Sequence, residues 1–230
     1  MIPATIPELA PERTHEAGAA AESADPAPSG GQLIARLRAE TATLHARLES
    51  LVDLMSPAVT RQQYTAFLRV LWGFHSAVEQ QLRTLASLPA VVTDLDERFK
   101  SALLEQDLRA LGAALPAGPG AGGRLAAPAL NGLEQALGTM YVLEGSTLGG
   151  QHLYRHLAGL LPETVAEASR FLKCYGANTG RMWNAFRGQL ELAEPQLNTD
   201  AVIDAARASF IVLMDWFSGQ VGGSVEERSA

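Results

Sequence analysis

From Gln32 to Phe217 apolar side chains return at helical spacing, and no stretch shows a convincing alternation at a spacing of two. That pattern restricts the chain to an all-α fold of about six to eight helices. Leu33, Leu37, Thr41, Leu44, Leu48, Leu51 and Val52 form the first stripe. The second helix has a legible start, because Thr60-Arg-Gln-Gln63 is a capping box in which threonine and glutamine satisfy each other's exposed amides. Tyr64, Phe67, Leu68, Leu71, Phe74, Val78 and Leu82 then make its apolar face. Pro89 interrupts, and an amphipathic segment follows with Leu95, Phe99, Leu103 and Leu108. Further helices are expected over about 131–160, 163–175, 181–193 and 199–218, with a turn at 176–180.

The chain of 230 residues suits one domain with loose ends. Residues 1–30, rich in Ala, Pro, Glu, Ser and Gly, are expected to be a disordered extension, 31–218 the domain, 113–128 a flexible loop within it, and 219–230 a flexible tail. An apolar fraction of 47% suffices for a core. A net charge of −7 argues against a nucleic-acid partner. Cys174 is the single cysteine, so no internal disulfide can form, which suits a cytoplasmic protein. No apolar run is long enough to span a bilayer, and the N-terminus lacks the pattern of a secretory signal.

The helix over 131–160 contains Gly145, Gly149 and Gly150 within YVLEGSTLGGQ. Each glycine costs a helix about 1 kcal/mol relative to alanine. Gly145 and Gly149 lie four apart, on one side. Two readings remain open: a tight helix crossing or helix end, and a backbone bared for something flat to approach. His45 borders the apolar stripe of the first helix, with Glu49 four residues on. It reads either as a hydrogen-bonded core histidine or as a metal ligand with a carboxylate behind it. His75 and Glu79 repeat that spacing. His152 and His156 are also four apart but read as an exposed face, and Cys174 as a buried or half-buried bystander.

Three stretches together carry a family resemblance: LRAETATLHARLE (37–49), VTRQQYTAFLRVLWGFHSAVEQQL (59–82) and YVLEGSTLGGQHL (141–153), with ARASFIVLMDWF (206–217) as a weaker fourth. The chain resembles the biliverdin-producing heme oxygenases, and is most similar to the bacterial type found beside bacteriophytochromes. The resemblance implies a single-domain helical fold with heme between a proximal and a distal helix. It implies His45 as the iron ligand, with Glu49 beside it, and Gly145, Gly149 and Gly150 as the distal glycines. Tyr141 and Phe210 fall in the pocket. Ser146 stands where many members carry an aspartate that orders water, and His75 stands where animal enzymes carry a pocket tyrosine. Arg38 matches a basic position on the propionate side. Ala42 and Asn184 occupy two other basic positions, leaving Arg181 and Arg187 as open candidates on the later helix. The implied activity is ring opening of heme by dioxygen to biliverdin, CO and iron, with electrons from an external reductase or ferredoxin and a bacteriophytochrome as bilin acceptor. Two rival readings are a non-heme di-iron oxidase using His45, Glu49, His75, Glu79 and Glu144, and a heme-binding protein without catalysis.

Overall fold

Nine consecutive residues, Ala136–Glu144, are buried at the start of helix α5, Leu133–Leu160. A helix buried all round belongs at the centre of its fold, and the other elements are arranged about this one. The computed structural model describes residues 31–115 and 127–226, with the side chains of the last helix described as far as residue 219. Among these residues there is no strand. The extension at 1–30, the middle of the loop expected at 113–128, and the end of the chain lie outside the described residues.

The order is α1 (Gln32–Val52), α2 (Arg61–Leu82), α3 (Leu88–Val91), α4 (Ser101–Ala110), α5, α6 (Pro162–Glu167), α7 (Arg170–Lys173), α8 (Thr179–Ala193) and α9 (Thr199–Glu226). Short 3-10 turns cover Leu95–Arg98, Gly176–Asn178 and Glu194–Gln196. The capping box that opens α2 forms as expected: Gln63 N donates to Thr60 Oγ1 at 3.2 Å, and Thr60 N to Gln63 Oε1 at 2.8 Å. The stripe behind it is buried at Tyr64, Leu68, Leu71, Phe74, Val78 and Leu82, with Phe67 partly so.

Helix α9 packs along both α5 and α1. Its approach to α5 depends on Gly138, where a methyl group would overlap the carbonyl oxygen of Val202 and lie 2.8 Å from Ala205 Cβ. Its approach to α2 depends on Gly73 in the same way, against the indole of Trp216. Between α5 and α9, Ser209 Oγ and Thr139 Oγ1 share a buried hydrogen bond of 2.9 Å. Arg36 to Asp200 (2.7 Å) and Arg207 to Glu40 (2.6 Å) tie α1 to α9.

An expected amphipathic segment and an expected helix are each divided. The amphipathic run through 95–108 becomes a 3-10 turn followed by α4, and the helix expected at 163–175 becomes α6 and α7. In both cases a carboxylate from a distant helix supplies the new start. Glu79 of α2 accepts from Lys100 N (2.7 Å), Ser101 N (3.0 Å) and Ser101 Oγ (2.5 Å) at the head of α4. Asp107 of α4 accepts from Arg170 N (3.0 Å) and Phe171 N (2.9 Å) at the head of α7. Helix α1 is begun similarly by Glu194, which accepts from Leu33 N at 3.0 Å. Exposed amides at a helix start need such acceptors, and here they come through space instead of from the local sequence.

Candidate functional site

Thr41 is the last fully buried residue of α1; beyond it the helix rises out of the core. His45, one turn further, is therefore exposed, with 49% of its side chain accessible. Its Nδ1 lies 3.5 Å from Glu49 Oε1, and its ring meets Phe210 of α9 edge-on with centroids 6.0 Å apart. A carboxylate beside Nδ1 favours the tautomer that leaves Nε2 with a lone pair for a metal. Phe210 is itself buried and fixes one side of the imidazole.

On α5, the continuously buried run ends at Glu144, and Thr147 and Leu157 are buried again beyond the first glycine. Gly145, Gly149 and Gly150 do not share one environment. A methyl group at Gly149 would meet nothing within 4 Å among the described residues. At Gly145 it would make ordinary contact with Trp183, 3.8 Å away. At Gly150 it would press on the backbone of α7, 3.2 Å from the carbonyl oxygen of Leu172. Gly150 is thus a packing glycine, Gly145 adjoins the Trp183 indole, and Gly149 is the one of the three that leaves backbone bare among the described residues. Ser146 is exposed, and its hydroxyl donates to Leu143 O at 2.7 Å. Its proton is committed within the helix, so only its lone pairs face outward.

Tyr141 lies four residues before Gly145, buried, with its ring 5.6 Å from that of Trp183. Burial pushes its phenol pKa up, while the charges of Arg38 and Arg187 pull against that rise. The charges of two arginines, from α1 and α8, thus act on one phenol. Arg187 also holds a buried Nε with no hydrogen-bond partner among the described residues, and its outer nitrogen is 3.7 Å from Glu191. Arg181 is exposed and reaches only Asn178, at 3.4 Å. Ala42 and Asn184 are exposed as well.

His75 is 2% exposed, with its ring edge-on to Phe171 at 5.5 Å. Its Nδ1 lies 3.5 Å from Glu79 Oε1, too long for a good hydrogen bond, and has no nearer partner among the described residues. Burial holds its pKa below the ordinary histidine value, against the opposing pull of Glu79. Glu79 is driven upward by burial but more strongly downward by His75, Ser101 and the Lys100 amide, so its pKa falls below the usual range.

Next to it lies a buried ionic cluster that sequence reasoning missed. Glu144 is 1% exposed. It accepts from Arg98 Nη1 (2.5 Å), Lys100 Nζ (2.5 Å) and Tyr175 OH (3.1 Å to each oxygen). Arg98 is held in turn by Asp94 (2.7 Å) and the Met182 carbonyl (3.2 Å). Two cations close together in an otherwise amphipathic stretch, ERFKSALL, are the trace it leaves in the sequence. These pairings remove the basis for a di-iron centre: Glu144 is neutralised by two cations, and Glu79 is committed to the head of α4. His152 is exposed and His156 half-buried, and Cys174 is half-buried with its thiol pKa raised by burial.

A protein-family model described as heme oxygenase matches residues 31–219. Among curated proteins, heme oxygenase PigA of Pseudomonas aeruginosa is 32% identical over 125 residues, covering 54% of this chain and 61% of that protein. The chain therefore matches about three fifths of that relative's length. Among solved structures, the NO- and CO-bound heme oxygenase from Neisseria meningitidis is similar with a TM-score of 0.63 and 26% identity, over 81% of this chain and 92% of that one.

Proposed function

Because this chain belongs to the heme oxygenase family, we propose that it binds heme between α1 and α5 and opens it to biliverdin, CO and ferrous iron, using dioxygen and electrons from an external reductase or ferredoxin. The observation that carries this reading is an accessible imidazole, backed by a carboxylate, in the same fold as a helix whose backbone is bare at Gly149.

The residues present fit the group. The space where a Cβ would stand at Gly149 is open. The orphaned Nε of Arg187 is a donor awaiting an acceptor such as a propionate. His45 would hold the iron through Nε2, and Arg38 and Arg187 would hold the propionates, in preference to Arg181. Bound heme would supply the iron that activates dioxygen and the ring that is opened.

The chain's own part is orientation and exclusion. Glu49 Oε1, 3.5 Å from His45 Nδ1, places a negative charge on the side of the ring where a proton leaves Nε2 free, and Phe210 limits rotation of the ring. Gly149 allows close approach of a planar group, because no side chain stands there between it and the helix. Ser146 accepts hydrogen bonds from water without delivering its own proton, which is bound to Leu143 O. Arg38 and Arg187, acting on one end of the ligand, set how the disc is rotated and hence which edge faces the bare helix.

Hemin, ascorbate and air test the reading. Wild-type protein is expected to convert hemin to an extractable bilin, and His45→Ala to stop this while remaining folded. Ser146→Ala is expected to slow the reaction or alter the product isomer. Wild-type protein that binds hemin and returns it unchanged would support the non-catalytic alternative.

A further inference from the structure

Helix α5 carries its glycines where it emerges from the core, and glycine both lowers helix propensity and makes a kink easy. Something must hold that stretch in one conformation. On one side Gly138 is locked against Val202 of α9, and on the other Gly150 rests on Leu172 of α7. Between these two anchors the buried charge on α5 is Glu144, immediately before Gly145.

We infer that Glu144, gripped by Arg98, Lys100 and Tyr175, is a positioning residue that fixes the height and rotation of the segment 145–149, with its bare backbone at Gly149. The grip comes from two directions. Arg98 and Lys100 belong to the segment leading into α4, and Tyr175 belongs to the turn before α8. Arg98 binds the α8 carbonyl of Met182 as well, and Lys100 Nζ binds Arg98 O at 2.9 Å. Every charge in the cluster therefore has its partners. Buried ion pairs of this kind contribute little net stability compared with apolar packing, but they admit one geometry. A helix that must present backbone to a ligand at a set distance has use for that property. Small displacements of a reacting group cost large factors in rate.

The inference rests on the proposed reaction, and its test separates the two. Glu144→Gln keeps the shape of the side chain and removes its charge. Leu88→Ala, a core truncation on α3, serves as a comparison of general destabilisation. In heme-free protein, at a temperature where all variants are folded, hydrogen exchange of the amides in 141–151 is expected to rise about tenfold in Glu144→Gln relative to Leu88→Ala. In the hemin assay kcat is expected to fall about tenfold with KM little changed, the pattern of lost positioning. If Glu144→Gln does not fold, Tyr175→Phe, which leaves both cations paired, is expected to show the same local exchange with a smaller factor. Exchange in 141–151 equal to that of Leu88→Ala in whichever variant folds would overturn the inference. If wild-type protein turns over no heme, the proposed reaction fails, while the exchange measurement still decides whether the cluster holds the helix.

Discussion

A methyl group added at Gly149 would enter open space, whereas one added at Gly150 would meet the Leu172 carbonyl oxygen. These neighbours should therefore respond in opposite directions. Gly149→Ala is expected to raise the melting temperature of heme-free protein, by the equivalent of about 0.5–1 kcal/mol, and to slow heme turnover. Gly150→Ala is expected to lower the melting temperature, because α7 is held by Asp107 and cannot easily give way. Thermal melts of the two variants check the pair. A second expectation at this scale concerns His75. Its folded pKa is depressed by burial, so the unfolded chain takes up its proton first as pH falls. Stability is then fully present above the unfolded value near 6.5 and is lost as pH drops below it. Glu79, also depressed, adds a loss that begins lower, near the ordinary glutamate value of 4.5. The charges of Lys100 and Glu144 also act on His75, while Glu79 has Arg83 at 3.6 Å beside it. Denaturant melts from pH 7 to 5 should show a decline in wild-type protein that is flatter in His75→Leu.

At the scale of elements, α2 and α5 could be read from the sequence because their signals are local. Thr60 and Gln63 cap α2 within one turn, and the stripe from Tyr64 to Leu82 needs no outside help. The starts of α4 and α7 could not be read in this way, since Glu79 and Asp107 reach them from other helices. The same limit applies to the glycines. The distal run was conspicuous by its density, but Gly138 stands alone in sequence, and only the approach of Val202 and Ala206 explains it. Gly138→Ala is accordingly expected to destabilise more than Gly150→Ala, by about 1–3 kcal/mol, the usual cost of overpacking a crossing. Chemical denaturation gives the ranking, and equal midpoints would show that α9 yields more readily than its packing implies.

For the whole molecule, the site depends on α9. It carries Phe210 against His45 at one place and is locked onto α5 at another, so α1 and α5 are referred to one common element. His45 and the bare backbone were legible in the sequence as separate marks. The joint action of the Arg38 and Arg187 charges on Tyr141 was not, because it joins α1, α5 and α8. Nor was the Glu144 cluster, whose members are spread from Asp94 to Tyr175. The account's central claim is that His45 binds the iron of a heme lying against that backbone. The most direct measurement is a hemin titration of wild-type and His45→Ala proteins, followed by absorption and EPR, with free imidazole added at the end. The account predicts a one-to-one heme complex with a histidine-ligated spectrum in wild type, an altered spectrum in His45→Ala, and restoration of the first by imidazole. Identical spectra and equal affinity in the two proteins would contradict it.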